Sequence, residues 1–132
     1  MTHLLDTNIC IWLMRGVRDV AARLEAGAPE SFAISVITFY ELALGVRKSS
    51  HPAREEGRLQ RVIQPFQRID FDAEAALEAA QIRAALEAQG CGIGPYDTLL
   101  AGHARSRGLI MVTDNFAEFS RVPDLQVEHW HR

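Results

Sequence analysis

The sequence is short of several things, and each shortage closes off a class of protein. Only two cysteines are present, Cys10 and Cys91, without a Cys-x-x-Cys spacing, so neither a zinc site nor a disulfide framework is indicated. Both read as reduced thiols of a cytoplasmic protein. No apolar run approaches the ~20 residues that span a bilayer. The N-terminus lacks the basic, apolar and small-residue layout of a secretory signal. Lys48 is the only lysine. The glycine-rich stretch 90–94 lacks the Gly-Lys-Ser/Thr ending of a phosphate-binding loop and reads as a tight turn instead. Neither an internal repeat nor a low-complexity linker interrupts the chain.

What is there is an ordinary globular composition. The 132 residues are 48% hydrophobic and 23% charged, the size of one domain, 1–132. A chain of this length buries roughly two-thirds of its unfolded surface, enough for a core without covalent staples. The formal net charge of −3 rules out a general attraction to nucleic acid. Charge is unevenly spread, however: between residues 47 and 68, Arg47, Lys48, Arg54, Arg58, Arg61 and Arg68 face only Glu55 and Glu56.

Apolar runs alternate with helical periodicity. Leu4-Leu5 reads as an edge-to-core strand ending at Asp6. Ile9, Trp12 and Leu13 follow at helical spacing, then Val17, Val20, Ala21 and Leu24 give a second short helix before Gly27. Phe32-Ala33-Ile34 predicts a second strand, and Ser35 an N-cap. Val36, Phe39, Tyr40, Ala43 and Leu44 form a wide apolar stripe on the next helix, with Gly45 as a point where it would bend or narrow. A more polar helix is expected over 53–63, closed by Pro65, and an extended segment at Ile69-Asp70-Phe71. Asp72 caps an alanine-rich helix carrying Ala75, Ala79, Ile82 and Leu86. Pro95 opens another, with Tyr96, Leu99, Leu100, His103 and Ala104 as its apolar face and Gly108 as its stop. Residues 109–112 have the unbroken aliphatic character of a strand buried on both faces, and Leu125, Val127 and Trp130 indicate a last short one. This alternation predicts an α/β fold, a three-layer α/β/α sandwich on a central, mostly parallel sheet.

Four acids stand at related places in this pattern. Asp6 ends the first strand, Glu41 lies in the helix after the second, Asp97 is in the first turn of the helix opened by Pro95, and Asp114 follows strand 109–112. Each has a structural reading by itself: an N-cap, a solvated glutamate, a partner of a helix dipole, a turn former. A parallel sheet changes the weighing, because it gathers strand ends and the starts of the following helices at one edge, where ligands bind. Four carboxylates in one pocket repel unless protonated or neutralised by cations. An all-oxygen set without histidine or cysteine selects Mg²⁺ or Mn²⁺ over zinc. Such a site suits phosphodiester hydrolysis. Thr7, Asn8, Thr113 and Asn115 would orient carboxylates or waters, or simply cap the strand-to-helix turns.

The motifs Leu5-Asp6-Thr7-Asn8, Glu41-Leu42-Ala43-Leu44-Gly45, Ile93-Gly94-Pro95-Tyr96-Asp97 and Val112-Thr113-Asp114-Asn115-Phe116-Ala117-Glu118-Phe119 resemble the successive motifs of PIN-domain ribonucleases. They are most similar to those of the VapC toxins of bacterial toxin–antitoxin pairs. The resemblance runs from His3 to Trp130 with the motifs in order. It implies a PIN-like fold, Asp6, Glu41, Asp97 and Asp114 as the metal-binding and catalytic quartet, and a Mg²⁺- or Mn²⁺-dependent endoribonuclease. It further implies a homodimer, and a cognate antitoxin protein whose tail occupies the active-site groove. Asp114 falls at the family's least uniform position.

Arg54, Arg58 and Arg61 share one helix face. With Arg15 beyond the acidic edge, they are candidate contacts to an RNA backbone or members of a solvated surface. His103, on an apolar face, reads as a core histidine, and His129 and His131 as parts of a frayed terminus. No histidine pair is placed for metal-free acid–base cleavage. Phosphoryl transfer through an Asp6 intermediate fits poorly, because Lys48 is remote in sequence and no acid follows Asp6. The remaining alternatives are a catalytically inactive module that binds RNA or a partner, and a nuclease that cuts DNA with the same site.

Overall fold

The computed structural model describes residues 1–130; His131 lies outside them. Five strands, β1 (His3–Leu5), β2 (Phe32–Ser35), β3 (Gln67–Ile69), β4 (Ile110–Val112) and β5 (Val127–Glu128), form one sheet in the order β3-β2-β1-β4-β5. Every pairing is parallel. The sheet is therefore wholly parallel among the described residues. β1 lies at its centre rather than at an edge, because Leu4 and Leu5 are both fully buried and need cover on both faces.

Side chains alternate across the sheet and divide the core in two. Leu5, Phe32, Ile34 and Val112 face one cluster, covered by α1 (Thr7–Met14), α2 (Arg18–Glu25), α3 (Val36–Lys48) and α4 (Pro52–Ile63). Leu4, Ala33, Ile69 and Met111 face the other, covered by α5 (Ala73–Ala88), α6 (Pro95–Arg107) and the short α7 (Phe116–Phe119). This is the three-layer α/β/α arrangement. Each fully buried Leu, Ile, Val or Phe contributes about 1.5–3 kcal/mol of hydrophobic stabilisation.

The helix boundaries follow local chemistry. Ser35 Oγ accepts the Ile37 N–H at 3.0 Å and Asp72 Oδ1 accepts the Ala75 N–H at 2.9 Å, capping α3 and α5. Pro95 occupies the first turn of α6, and Gly108 ends it in the left-handed conformation, φ 65°. On α3 the buried residues are Thr38, Leu42 and Val46, so the stripe read from Val36, Phe39, Tyr40, Ala43 and Leu44 is not the one facing the sheet. Tyr40 is 49% exposed and Leu44 40%, and the helix continues through Gly45 to Lys48. Tyr96 is likewise exposed at the start of α6, while Leu100, His103 and Ala104 are buried as expected.

All five strands point the same way, so their carboxyl ends share one edge. From β1 the chain proceeds to β2 and β3 on one side and returns to β4 and β5 on the other. The crevice beyond the ends of β1 and β4 is thus the topological switch point, where open α/β sheets bind ligands.

Candidate active site

Asp6 stands one residue beyond β1 as the N-cap of α1, so the strand-end and cap readings are both true of it. It is only 4% exposed. Its Oδ1 accepts the Thr7 backbone N–H at 2.7 Å, and its Oδ2 accepts the Thr113 hydroxyl at 2.6 Å. The Asp6 backbone N–H donates to the Val112 carbonyl at 2.8 Å, tying the residue to β4. Burial pushes the Asp6 carboxyl up to about 7. The Thr113 and Thr7 hydrogen bonds work against that rise, and the nearby charges of Asp97 and Asp114 add to it.

Glu41 comes in from the second turn of α3, where its Oε1 accepts the Thr7 hydroxyl at 2.7 Å. Thr7 Oγ1 also lies 3.2 Å from the hydroxyl of Thr38, which is fully buried. Asp97 hangs from the first turn of α6 and accepts the Asn115 side-chain amide at 3.4 Å. Its carboxyl is raised, first by burial and then by the charges of Glu118, Glu41 and Asp114. Asp6, Thr7, Asn8, Ile11, Glu41, Asp97 and Asn115 line one cavity of about 220 Å³. Three of the four expected acids therefore meet on one space, from three different elements.

Asp114 stands at the rim. It is outside the cavity lining, but its Oδ1 accepts the Asn8 amide at 3.3 Å and its charge reaches both Asp6 and Asp97. Thr7 and Thr113 each hold a carboxylate directly. Thr113 is itself fixed by accepting the Asn115 backbone N–H at 2.9 Å.

Sequence reasoning passed over Glu118. It lies on α7, and its charge is the largest acting on Asp97. The signal was its place four residues after Asp114, one helical turn along a segment already singled out.

The arginines are not in this cavity. Arg15 lines a neighbouring space of about 200 Å³ with Ile11, Met14, Glu41, Leu42, Gly45, Val46 and Glu55. Ile11 and Glu41 belong to both, so the two spaces adjoin along α1 and α3. Arg58 pairs with Glu55 at 3.1 Å, and Arg54 and Arg61 are exposed on α4.

The donor set fits a hard divalent cation. It is all oxygen, and the lining holds three carboxylates and no Lys, Arg or His among the described residues. Asp6 is held away from water beside other acids, which leaves negative charge to be neutralised. Among the described residues no three His, Cys, Asp or Glu side chains stand together closely enough to hold an ion by themselves. A Mg²⁺ ion, which takes one or two carboxylates and keeps several waters, would not require three.

The fold and the carboxylate edge define a class, and comparison with known proteins names it. The model of the PIN domain family matches residues 3–125, and the chain belongs to that family. Within it, the chain is similar to VapC proteins. It is 39% identical over 131 residues to the tRNA(fMet)-specific endonuclease VapC of Salmonella typhimurium and 42% identical over 131 residues to that of Shigella flexneri, covering 98% of each chain in both cases. In three dimensions it matches a chain of the DNA-bound VapBC crystal structure from Salmonella typhimurium, with TM-score 0.94, 38% identity and 99% of each chain covered. It matches VapBC2 from Rickettsia felis bound to a promoter DNA fragment with TM-score 0.94 and 34% identity, over 99% of this chain and 100% of that one.

Proposed function

We propose that this chain is a Mg²⁺- or Mn²⁺-dependent endoribonuclease, the toxin of a VapBC-type pair. The observation that carries the reading is the cavity shared by Asp6, Glu41 and Asp97 without a neutralising side chain, in a chain matched end to end by proteins named as ribonucleases. Asp6 and Asp97 would hold the ion, with Glu41 and Asp114 contributing directly or through water. A cation bound there would activate a water and stabilise the leaving oxygen of a phosphodiester. Thr113 and Thr7 fix the Asp6 and Glu41 carboxylates in one orientation, and Asn8 and Asn115 do the same for Asp114 and Asp97. Preorganised carboxylates need no rearrangement when substrate arrives.

Arg15, Arg54, Arg58 and Arg61 lie beyond the acids and offer the phosphate backbone its cations. The adjoining space sets the apolar Ile11, Met14, Leu42 and Val46 beside the charged Arg15, Glu41 and Glu55. It suits the tail of an antitoxin protein lying across Glu41. The family resemblance adds a homodimer and a cytoplasmic location to the proposal.

The test is cleavage of total cellular RNA by the purified chain, with Mg²⁺, Mn²⁺ or chelator, beside Asp97→Asn. Initiator transfer RNA is the first defined substrate, since two relatives are named for it. Discrete products lost with chelator and with the variant support the reading. A folded, partner-free protein that cuts nothing would shift it to an inactive binding module, and equal cleavage of DNA to a less selective nuclease.

A further inference from the structure

Among the described residues, two fully buried titratable side chains that the proposed chemistry leaves unused touch its scaffold, Cys10 on α1 and His103, and only His103 makes a side-chain hydrogen bond to it. His103 sits on α6, six residues after Asp97, with no solvent exposure. Its Nδ1 lies 2.8 Å from Ser35 Oγ. Ser35 is the last residue of β2 and the N-cap of α3, and its Oγ already accepts the Ile37 N–H. A hydroxyl that accepts the Ile37 N–H still has its own proton to give, and with that proton donated to Nδ1 the ring is a neutral acceptor carrying its proton on Nε2. The edge of the Phe71 ring closes against the imidazole at 5.2 Å between centroids. Nε2 makes no hydrogen bond of full geometry among the described residues, although the Asp70 backbone carbonyl lies close enough to act on the ring.

An interior that only needed filling would be better served by leucine, since a buried polar atom left unpaired is destabilising. What the histidine supplies is a polar tie between two helices. One carries Asp97 in its first turn. The other begins at Ser35 and carries Thr38 and Glu41 in its first two turns, where both meet Thr7. We propose that His103 is a positioning residue: through Ser35 it pins the start of α3 against α6 and so sets the separation of Glu41 from Asp97. This inference rests on reading those two acids as part of one cation site.

The experiment compares wild type with His103→Leu, His103→Asn and Ser35→Ala. Asparagine keeps an acceptor where Nδ1 stands, and leucine keeps the volume alone. Thermal unfolding, Mn²⁺ affinity by calorimetry, kcat and KM on RNA, and amide exchange at Ile37 and Thr38 are measured on each. With leucine, a coupling of the usual size for a buried network weakens Mn²⁺ binding about fivefold, and kcat falls while KM stays. The Ile37 and Thr38 amides exchange faster, while the thermal midpoint changes little, because removal of the poorly paired Nε2 is offset by the Ser35 hydroxyl left without its acceptor. Asparagine restores affinity and exchange towards wild type, and Ser35→Ala repeats the loss should the leucine variant misfold. Mn²⁺ affinity and exchange unchanged in His103→Leu would overturn the proposal, as would unchanged Mn²⁺ affinity in Ser35→Ala, where Ile37 exchange rises in any case with the lost cap. So would losses that track the thermal midpoint without rescue by asparagine. Failure of the wild type to bind Mn²⁺ would overturn the cation site itself, while the exchange data still decide whether His103 holds the start of α3.

Discussion

At Gly102, in the seam between α5 and α6, one added carbon would sit 2.5 Å from the Ala79 backbone nitrogen and 2.6 Å from its Cα. Around Asp6, by contrast, about 220 Å³ stands open between three carboxylates. The seam is made of small buried side chains, Ala75, Ala79, Ala101 and Ala104, and the helices approach until their backbones touch. It has no tolerance for added volume, and the charges beside it are paired, Arg105 of α6 with Glu78 of α5 at 2.9 Å. The cavity is the reverse: its framework groups are buried, its polar groups are held in place, and its charges repel. One region contributes stability. In the other, stability is given up, because a site that binds a cation must present carboxylates that would be better off in water until the cation arrives.

The sharpest way to break this contrast is Asp97→Asn. Losing one ligand charge removes about 4 kcal/mol of transition-state stabilisation, roughly 10³-fold in cleavage rate. The thermal midpoint of the metal-free protein should hold or rise, since the amide relieves repulsion from Glu118, Glu41 and Asp114. A fall in both would mean that the acids hold the fold together.

Gly102→Ala works from the other side. Overpacking against backbone should lower the unfolding free energy in urea by about 3 kcal/mol. If its Mn²⁺ affinity fell as far as that of Asp97→Asn, the two regions would not be separable.

Thr113→Val keeps the shape and deletes the 2.6 Å hydrogen bond to Asp6 together with the acceptor of the Asn115 N–H. A bond to a charged group is worth about 2 kcal/mol, so cleavage should fall roughly thirtyfold with the circular dichroism spectrum unchanged.

The smallest effect is in pH. Burial lowers the His103 pKa below its usual 6.5, and Arg107 adds to this, against Asp72 and the Asp70 backbone carbonyl. A group lowered in the folded state gives stability that is complete above its unfolded value and is lost as pH falls through its folded one. From pH 7.5 down to 5.5, wild type should therefore lose thermal stability relative to His103→Leu. A difference that stays constant across that range would show that the ring is not held neutral.

Much of this contrast was legible before any coordinates. The Ser35 and Asp72 caps, the Pro95 start and Gly108 stop of α6, and the buried face of α5 are local chemistry, and local chemistry is written residue by residue. All four acids could be placed at one edge because a parallel sheet gathers strand ends and the starts of the following helices there; the structure sets Asp6, Glu41 and Asp97 on one cavity and Asp114 at its rim. The face of α3 was misread because that helix carries two apolar stripes. Periodicity finds both, and only the sheet decides that Thr38, Leu42 and Val46 turn inward while Tyr40 and Leu44 do not. Glu118 was overlooked because its importance lies in proximity to Asp97, across a gap of 21 positions.

The sequence by itself determined most of the helices and strands, a mostly parallel sheet, and which acids reach its carboxyl edge; it placed the third strand at 69–71 where β3 is Gln67–Ile69, and carried no sign of α7. Tertiary structure alone decided that β1 is central, that Asp114 sits at the rim rather than in the cavity, and that His103 meets Ser35 across 68 positions. The physical reason is the range of the forces involved. Caps, turns and periodicity act over a few residues, whereas strand order and the partners of a buried polar atom depend on which distant surfaces exclude water together.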